Sequence, residues 1–410
     1  MRLMMSCFPL SRKQSKIDKT NPRIFSVGYF YYHVVKQLTI QNQYAIILFM
    51  IGGILMDNNF NQPNNNFNQP IPNGIPPYNQ PYPPPISPEM AEKKRFSKLM
   101  YKIFGGNLLY DAIMLGVIFG VAIVFAIGAA IVQIVLEKPE SFYDDLFAWF
   151  ENTDMGSSIA VFIGCFFLAL FMRKVVKFRE IFKKRQAMNP KSFFIILTIF
   201  YGGQFIFTLI DAVFESMLNL VGYTAMEAVE AASSGSTSIS MLFYAGFIAP
   251  IFEEIIYRGF MMQSLEKTGL NKGYAILVSS ILFGVMHGNF VQAPFAFVVG
   301  MILGYTAMEY GIIWSILLHF LNNFVLGEGL TLILGFLPEN VGNLIEIGFL
   351  AGLTAAAIAL LIIKRREVSA YIKENHKVPM KYYKWTFSNP LFIIFCVIYF
   401  FMSFSTITKL

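Results

Sequence analysis

Nine apolar runs, most of them long enough to cross a bilayer, leave this chain few architectures. They lie near 108–136, 158–176, 193–222, 239–264, 274–288, 290–309, 312–335, 343–363 and 389–406. About 20 consecutive apolar residues form a helix as long as the hydrocarbon core is thick. The expected fold is therefore all-α, a polytopic transmembrane helix bundle of about eight to nine spans. Composition agrees, with 55% hydrophobic residues, 43 of them Phe, and only 14% charged. Soluble domains carry about 25% charge.

The loops between the runs alternate in charge. Lys93, Lys94, Arg95, Lys98 and Lys102 precede the first run, and acidic residues from Glu137 to Asp154 dominate the loop after it. Eight basic residues from Arg173 to Lys191 fill the second loop, and Glu227 and Glu230 mark the third. Lys267 and Lys272 follow the fourth run; Lys364, Arg365 and Arg366 follow the eighth. Short loops rich in Lys and Arg stay cytoplasmic, which predicts a multi-pass cell-membrane protein with its N-terminus inside. The net charge of +7 has the same origin, so no nucleic-acid partner is expected. Cys7, Cys165 and Cys396 have neither CxxC spacing nor a disulfide framework.

Three regions divide the chain. Residues 1–55 read as a doubtful extension. Their apolar stretch, YAIILFMIGGIL, is too short to span comfortably, and what precedes it is too long for a signal-peptide n-region. Gly52-Gly53-Ile54, just before Met56, can be encoded by a run resembling a ribosome-binding site, so an over-extended gene start is the expectation; a genuine extension is the alternative. Residues 56–90, with NNFNQP twice, lack the apolar content for a core and are expected to form a disordered cytoplasmic tail. Residues 91–410 form the transmembrane domain.

Within that domain the fourth run, FYAGFIAPIFEEIIYRGFMM, carries Glu253, Glu254 and Arg258. An ionised side chain at the centre of a membrane helix costs roughly 2.5 to 3.5 kcal/mol, so such residues normally face a cavity or a partner. Glu254 and Arg258 are i,i+4 and share a helix face, which permits a purely structural pair. Glu253, about a hundred degrees round the helix, is left unexplained by that pair. Two of the four histidines, His287 and His319, lie in later apolar runs. Asn323 is i+4 from His319, on the same face, and Phe283 precedes His287 by one turn. Either histidine alone reads equally well as a packing residue that donates to a neighbouring carbonyl. Together with two glutamates and an asparagine within some seventy residues, they point to a shared site.

Glu253-Glu254-Ile-Ile-Tyr-Arg258 reads as EExxxR, Phe283 to His287 as FxxxH, and His319 to Asn323 as HxxxN. In order and approximate spacing these motifs, over a core of about 240–330, resemble the CPBP (Abi) intramembrane protease family. That family includes type II CAAX prenyl endopeptidases and bacteriocin-immunity proteins. The resemblance implies an endopeptidase that cuts a membrane-associated peptide or lipidated protein within or near the bilayer. By the same resemblance Glu253, helped by His287, activates a water, while His319 and Asn323 hold the oxyanion. Glu254 and Arg258 support the helix. A desolvated carboxylate suits the base role, and preorganised donors suit the oxyanion role.

Other chemistries find less support. HExxH is absent, but Glu253, His287 and His319 form a possible two-His-one-carboxylate zinc set. Asn is a poor zinc ligand and a good oxyanion donor, so the expectation is no metal cofactor, with zinc as the alternative. Tyr110-Asp111, half of an aspartyl-protease signature, reads as a pair at a helix start. A non-catalytic immunity or scaffolding protein and a proton-relaying transporter are the rivals from other classes. One difficulty is geometric. A flat topology places His287 near the outer end of its run, so convergence with Glu253 requires a short or broken segment, with the break near Gly288-Asn289.

Overall fold

The computed structural model describes residues 87–153, 155–225 and 239–410. The expectations for residues 1–55 and nearly all of the 56–90 tail lie outside these, as do Glu227, Glu230 and the SSGSTS stretch. The described chain is almost entirely helical. Long helices α1 (Pro88–Val135), α3 (Met155–Met172) and α5 (Pro190–Leu220) come first, with short α2 (Glu140–Asn152) and α4 (Phe178–Ile181) between them. Next comes a helical stretch that alternates in pitch. It runs through α6 (Ile239–Phe243), π1 (Tyr244–Ile248), α7 (Ala249–Glu254), π2 (Ile255–Met262) and α8 (Gln263–Glu266). Helices α9 (Lys272–Val285), α10 (Gln292–Tyr310) and α11 (Ile312–Phe320) follow, the last continuing into π3 (Leu321–Gly329) and α12 (Leu330–Leu334). The chain closes with α13 (Glu339–Asn375), α14 (Met380–Phe387) and α15 (Pro390–Ser405). A two-residue antiparallel bridge pairs Tyr223 with Lys409 and Thr224 with Thr408.

Local chemistry starts three of these helices in the same way. Ser87, Asn189 and Asn389 each accept a backbone N–H of the first turn through the side chain, and each is followed by Pro at the first helical position. The cap satisfies an otherwise orphaned donor, and the proline sits where it costs no hydrogen bond.

Six helices among the described residues are long and apolar enough to cross a membrane, or seven if the bent pair α14–α15 counts as one span. This corrects the eight to nine spans expected from hydropathy. Helix α9 has 14 residues, about 21 Å of rise, which is short of a bilayer. The stretch from Ile239 to Glu266 is broken into α and π pieces and carries four charged side chains. Hydropathy cannot tell such segments from true spans, because a helix buried in protein is as apolar as one buried in lipid. Burial separates them. Val124, Leu220 and Ile363 on long helices are largely exposed, as lipid-facing residues are, whereas Tyr257, Phe260 and Tyr274 are sealed.

The chain breaks where convergence of the polar residues requires it. Helix α9 ends at Val285, and Gly288 takes φ +58°, a conformation costly for other residues. Asn289 then accepts from Val291 N at 2.7 Å and restarts the chain towards α10. His287 therefore lies in a turn beyond a short helix and not at the end of a full span. Gly300 on α10 allows a second close approach: a Cβ there would lie 3.2 Å from Arg258 Nη2 and 3.1 Å from Ser280.

Candidate active site

Three segments deliver the polar side chains: α7 with π2, the end of α9, and α11 with π3. Both long polar-bearing segments change pitch at the site. Glu254 is the last residue of α7 before π2, and His319 lies one residue before the end of α11, where π3 takes over. Inserted π-turns of this kind are frequent at functional sites.

Glu254 is completely buried, with polar partners on both carboxylate oxygens. Its Oε1 accepts from Arg258 Nη1 at 2.8 Å and lies 3.0 Å from His319 Nδ1, while Oε2 accepts from the Ser315 hydroxyl. An ionised carboxylate can only accept, so the Nδ1 proton of His319 belongs to this bond. That leaves Nε2 pointing the other way, 3.7 Å from Glu253 Oε2. Arg258, also fully buried, donates its second arm to Gly300 O at 3.2 Å and lies 4.2 Å over the Phe283 ring. Such a cation–π contact is worth about 2 kcal/mol when desolvated.

Phe283 is the hub between the two histidines. His287 meets its ring edge-on at 5.0 Å and His319 at 5.8 Å, with Tyr257 at 5.4 Å. His287 Nδ1 is 2.8 Å from Phe283 O, so Nδ1 is the donor and Nε2 keeps its lone pair in the neutral ring. Asn323 donates to Ala245 O of π1 at 3.1 Å and accepts from Asn322 at 3.0 Å. Of the seven residues singled out in the sequence, Glu253, Glu254, Arg258, Phe283 and His319 are thus joined by direct contacts. His287 joins them through Phe283. Asn323 is one turn beyond His319, anchored to the backbone.

Several participants were missed in the sequence. Ser315 is i−4 from His319, so the same spacing argument that paired His319 with Asn323 would have found it. Gln204 on α5 donates to Asn322 at 2.6 Å and extends the network across 118 residues of chain, with no local signal beyond a lone amide in an apolar run. The reading of Tyr110-Asp111 as a helix start is incorrect. Helix α1 begins at Pro88, and Asp111 sits well inside it, lining a cavity of about 220 Å³ that Glu253 also lines. Among the described residues, no three His, Cys, Asp or Glu side chains form a group that could hold a metal ion.

Fold and site together define a multi-pass helical membrane protein with a desolvated, hydrogen-bonded carboxylate–imidazole centre. Residues 235–325 match the family model for type II CAAX prenyl endopeptidases, Rce1-like, so this segment is similar to the CPBP/CAAX proteases. The matched segment contains all seven residues of the three motifs. No curated protein and no solved structure gives a significant match to the chain.

Proposed function

We propose that this protein is an intramembrane endopeptidase in which Glu253 activates the hydrolytic water. The observation that carries the reading is the division of labour between adjacent glutamates. Glu254 is saturated by Arg258, Ser315 and His319, whereas Glu253 is 22% exposed and borders a cavity.

In this mechanism Glu253 takes a proton from water as the water oxygen attacks the scissile carbonyl carbon. His287, with its Nε2 lone pair, orients the same water. The carbonyl electron pair moves onto oxygen, and the oxyanion is met by His319 Nε2 in its protonated form and by the free amide N–H of Asn323. Collapse of the intermediate breaks the C–N bond, and the amine leaves with the proton held on Glu253. Glu254, Arg258 and Ser315 act through His319 by fixing its ring. Donors fixed in advance where water is scarce are worth a few kcal/mol each. No residue in the scheme needs a metal, so activity is expected to survive exhaustive chelation, and restoration by added zinc would recast Glu253, His287 and His319 as ligands.

The substrate is a membrane-associated or lipidated peptide, reached from the cytoplasmic half of the bilayer, with the chain's N-terminal side inside. Membrane peptidomes of cells expressing wild-type or Glu253→Ala protein test the activity; identical peptidomes would leave the scaffolding reading in its place. Single cysteines at Ser141 and Ala187, in a cysteine-free background, test the orientation. The first should label from outside, and the second only after permeabilisation.

A further inference from the structure

The cavity beside Glu253 contains a second carboxylate that the mechanism does not use. Asp111 comes from α1, 142 residues earlier in the chain, and lines the same cavity of about 220 Å³. The Gly105 position faces Leu391 at 3.4 Å and, further along both helices, Asp111 meets Tyr399, so α1 and α15 run in the same direction. Asp111 therefore lies about 9 Å deeper than the start of α15, inside the span. Its partners there are neutral. Asn107 donates to it at 3.3 Å, and so does Tyr399 from α15. No Lys, Arg or His is among the described residues that line the cavity.

The rest of the lining is tyrosine, aliphatic side chains and methionine. Tyr110, Tyr244, Tyr257 and Tyr399 surround the space. Tyr257 is 1% exposed, and its hydroxyl has no hydrogen-bond partner among the described residues. A sealed phenol without a partner forgoes a hydrogen bond worth about 1 kcal/mol or more. A membrane-depth carboxylate without a cation is likewise costly, and the default reading is a functional site.

We propose that this cavity binds the cationic side chain of a substrate residue, Lys or Arg, flanking the scissile bond. The proposal deepens the endopeptidase reading and rests on it for the identity of the guest. An ammonium or guanidinium offers only donors, and the cavity offers the Asp111 carboxylate as acceptor. The tyrosine faces supply cation–π attraction to the same group. At about 30 Å³ per water, the volume equals roughly seven waters, room for a Lys or Arg side chain and too little for a folded segment. Because Asp111 and Glu253 line one cavity, a side chain held at Asp111 places its own backbone beside Glu253. Specificity follows: a neutral side chain there leaves Asp111 without a counter-charge, and an acidic one is repelled by two carboxylates.

Full-length protein in lipid nanodiscs is given a library of membrane-partitioning peptides with Lys, Arg, Met or Glu at each position, and the cut sites are read by mass spectrometry. The expected result is at least tenfold enrichment of Lys and Arg over Met at one flanking position. Asp111→Asn should bring that ratio close to one, and Asp111→Glu should retain most of it. A ratio unchanged in Asp111→Asn, or no basic preference in wild type, overturns the proposal. A second measurement needs no turnover. Calorimetry with n-butylammonium and with n-butanol should show saturable binding of the cation alone by wild type, lost in Asp111→Asn. Equal binding of both, or of neither, overturns the pocket. If no library peptide is cut while the cation still binds, the endopeptidase reading falls and the cation pocket stands.

Discussion

Glu254 and Glu253 are neighbours in the chain and opposites in environment. On the Glu254 side, four side chains close on one another almost completely buried: the carboxylate, Arg258, Ser315 and His319. On the Glu253 side the nearest ion-pair candidate is the His319 ring at 3.7 Å, and beyond it the cavity opens towards Asp111. A closed network holds geometry and has nothing left to offer a substrate. An open one retains unsatisfied acceptors, which is the condition for chemistry or binding. The single residue shared by both sides is His319, whose two ring nitrogens face one glutamate each. The closed side therefore preorganises the open side.

The largest effect should come from the open side. Glu253→Gln keeps size and shape but removes the proposed base, and kcat is expected to fall by up to about four orders of magnitude, the upper range for general-base catalysis. Folding should hardly change, because Glu253 has no close ion pair to lose. Breaking the closed side should do the reverse. Arg258→Met leaves a buried carboxylate without its counter-charge and is expected to cost about 3–5 kcal/mol of stability, read as a lower unfolding temperature in detergent. A variant pair in which Arg258→Met melts like wild type, or Glu253→Gln melts far below it, would erase the distinction between the two sides.

The same division explains what the sequence disclosed. Glu253, Glu254 and Arg258 stand out because charge in an apolar run is expensive wherever the run is buried. His319 and Asn323 follow from helical spacing, and the break at Gly288 follows from the need to bring His287 inward. Ser315 was equally legible by spacing but carries no charge to draw attention. Asp111 and Gln204 were not legible as partners. Asp111 shares its cavity with Glu253 across 142 residues and Gln204 reaches Asn322 across 118, and helix packing in a membrane is set by close fit and not by a hydrophobic pattern. The span count failed for a related reason, since α9 is apolar because protein surrounds it. Nor does composition reveal the π-turns, whose register depends on the neighbouring helices.

Asn323 lies at the edge of the comparison. One amide hydrogen is committed to Ala245 O, which fixes the side chain and leaves the second for the proposed oxyanion. Asn323→Ala is expected to lower kcat about a hundredfold with KM nearly unchanged, as for removal of one oxyanion donor. A raised KM with kcat intact would make Asn323 a binding residue and would reduce the oxyanion site to His319.

The smallest effect should come from an ion pair with similar distances but no burial. Glu180 and Lys267 meet at 3.0 Å on the surface, each side chain almost half exposed, and Lys267 also donates to Val175 O. The hydrogen bond and charge of Lys267 hold the Glu180 carboxyl below its ordinary range. A carboxyl depressed in the folded state contributes stability above its unfolded pKa and loses it as pH falls through the folded value. Wild type and Glu180→Gln should therefore differ slightly at neutral pH and converge below pH 4, with the neutral difference shrinking further in high salt. The contrast with Arg258→Met isolates burial as the cause, because the two pairs differ by only 0.2 Å in length. If Glu180→Gln destabilised the protein as much as Arg258→Met, the strength of the closed network would have to come from something other than its exclusion from water.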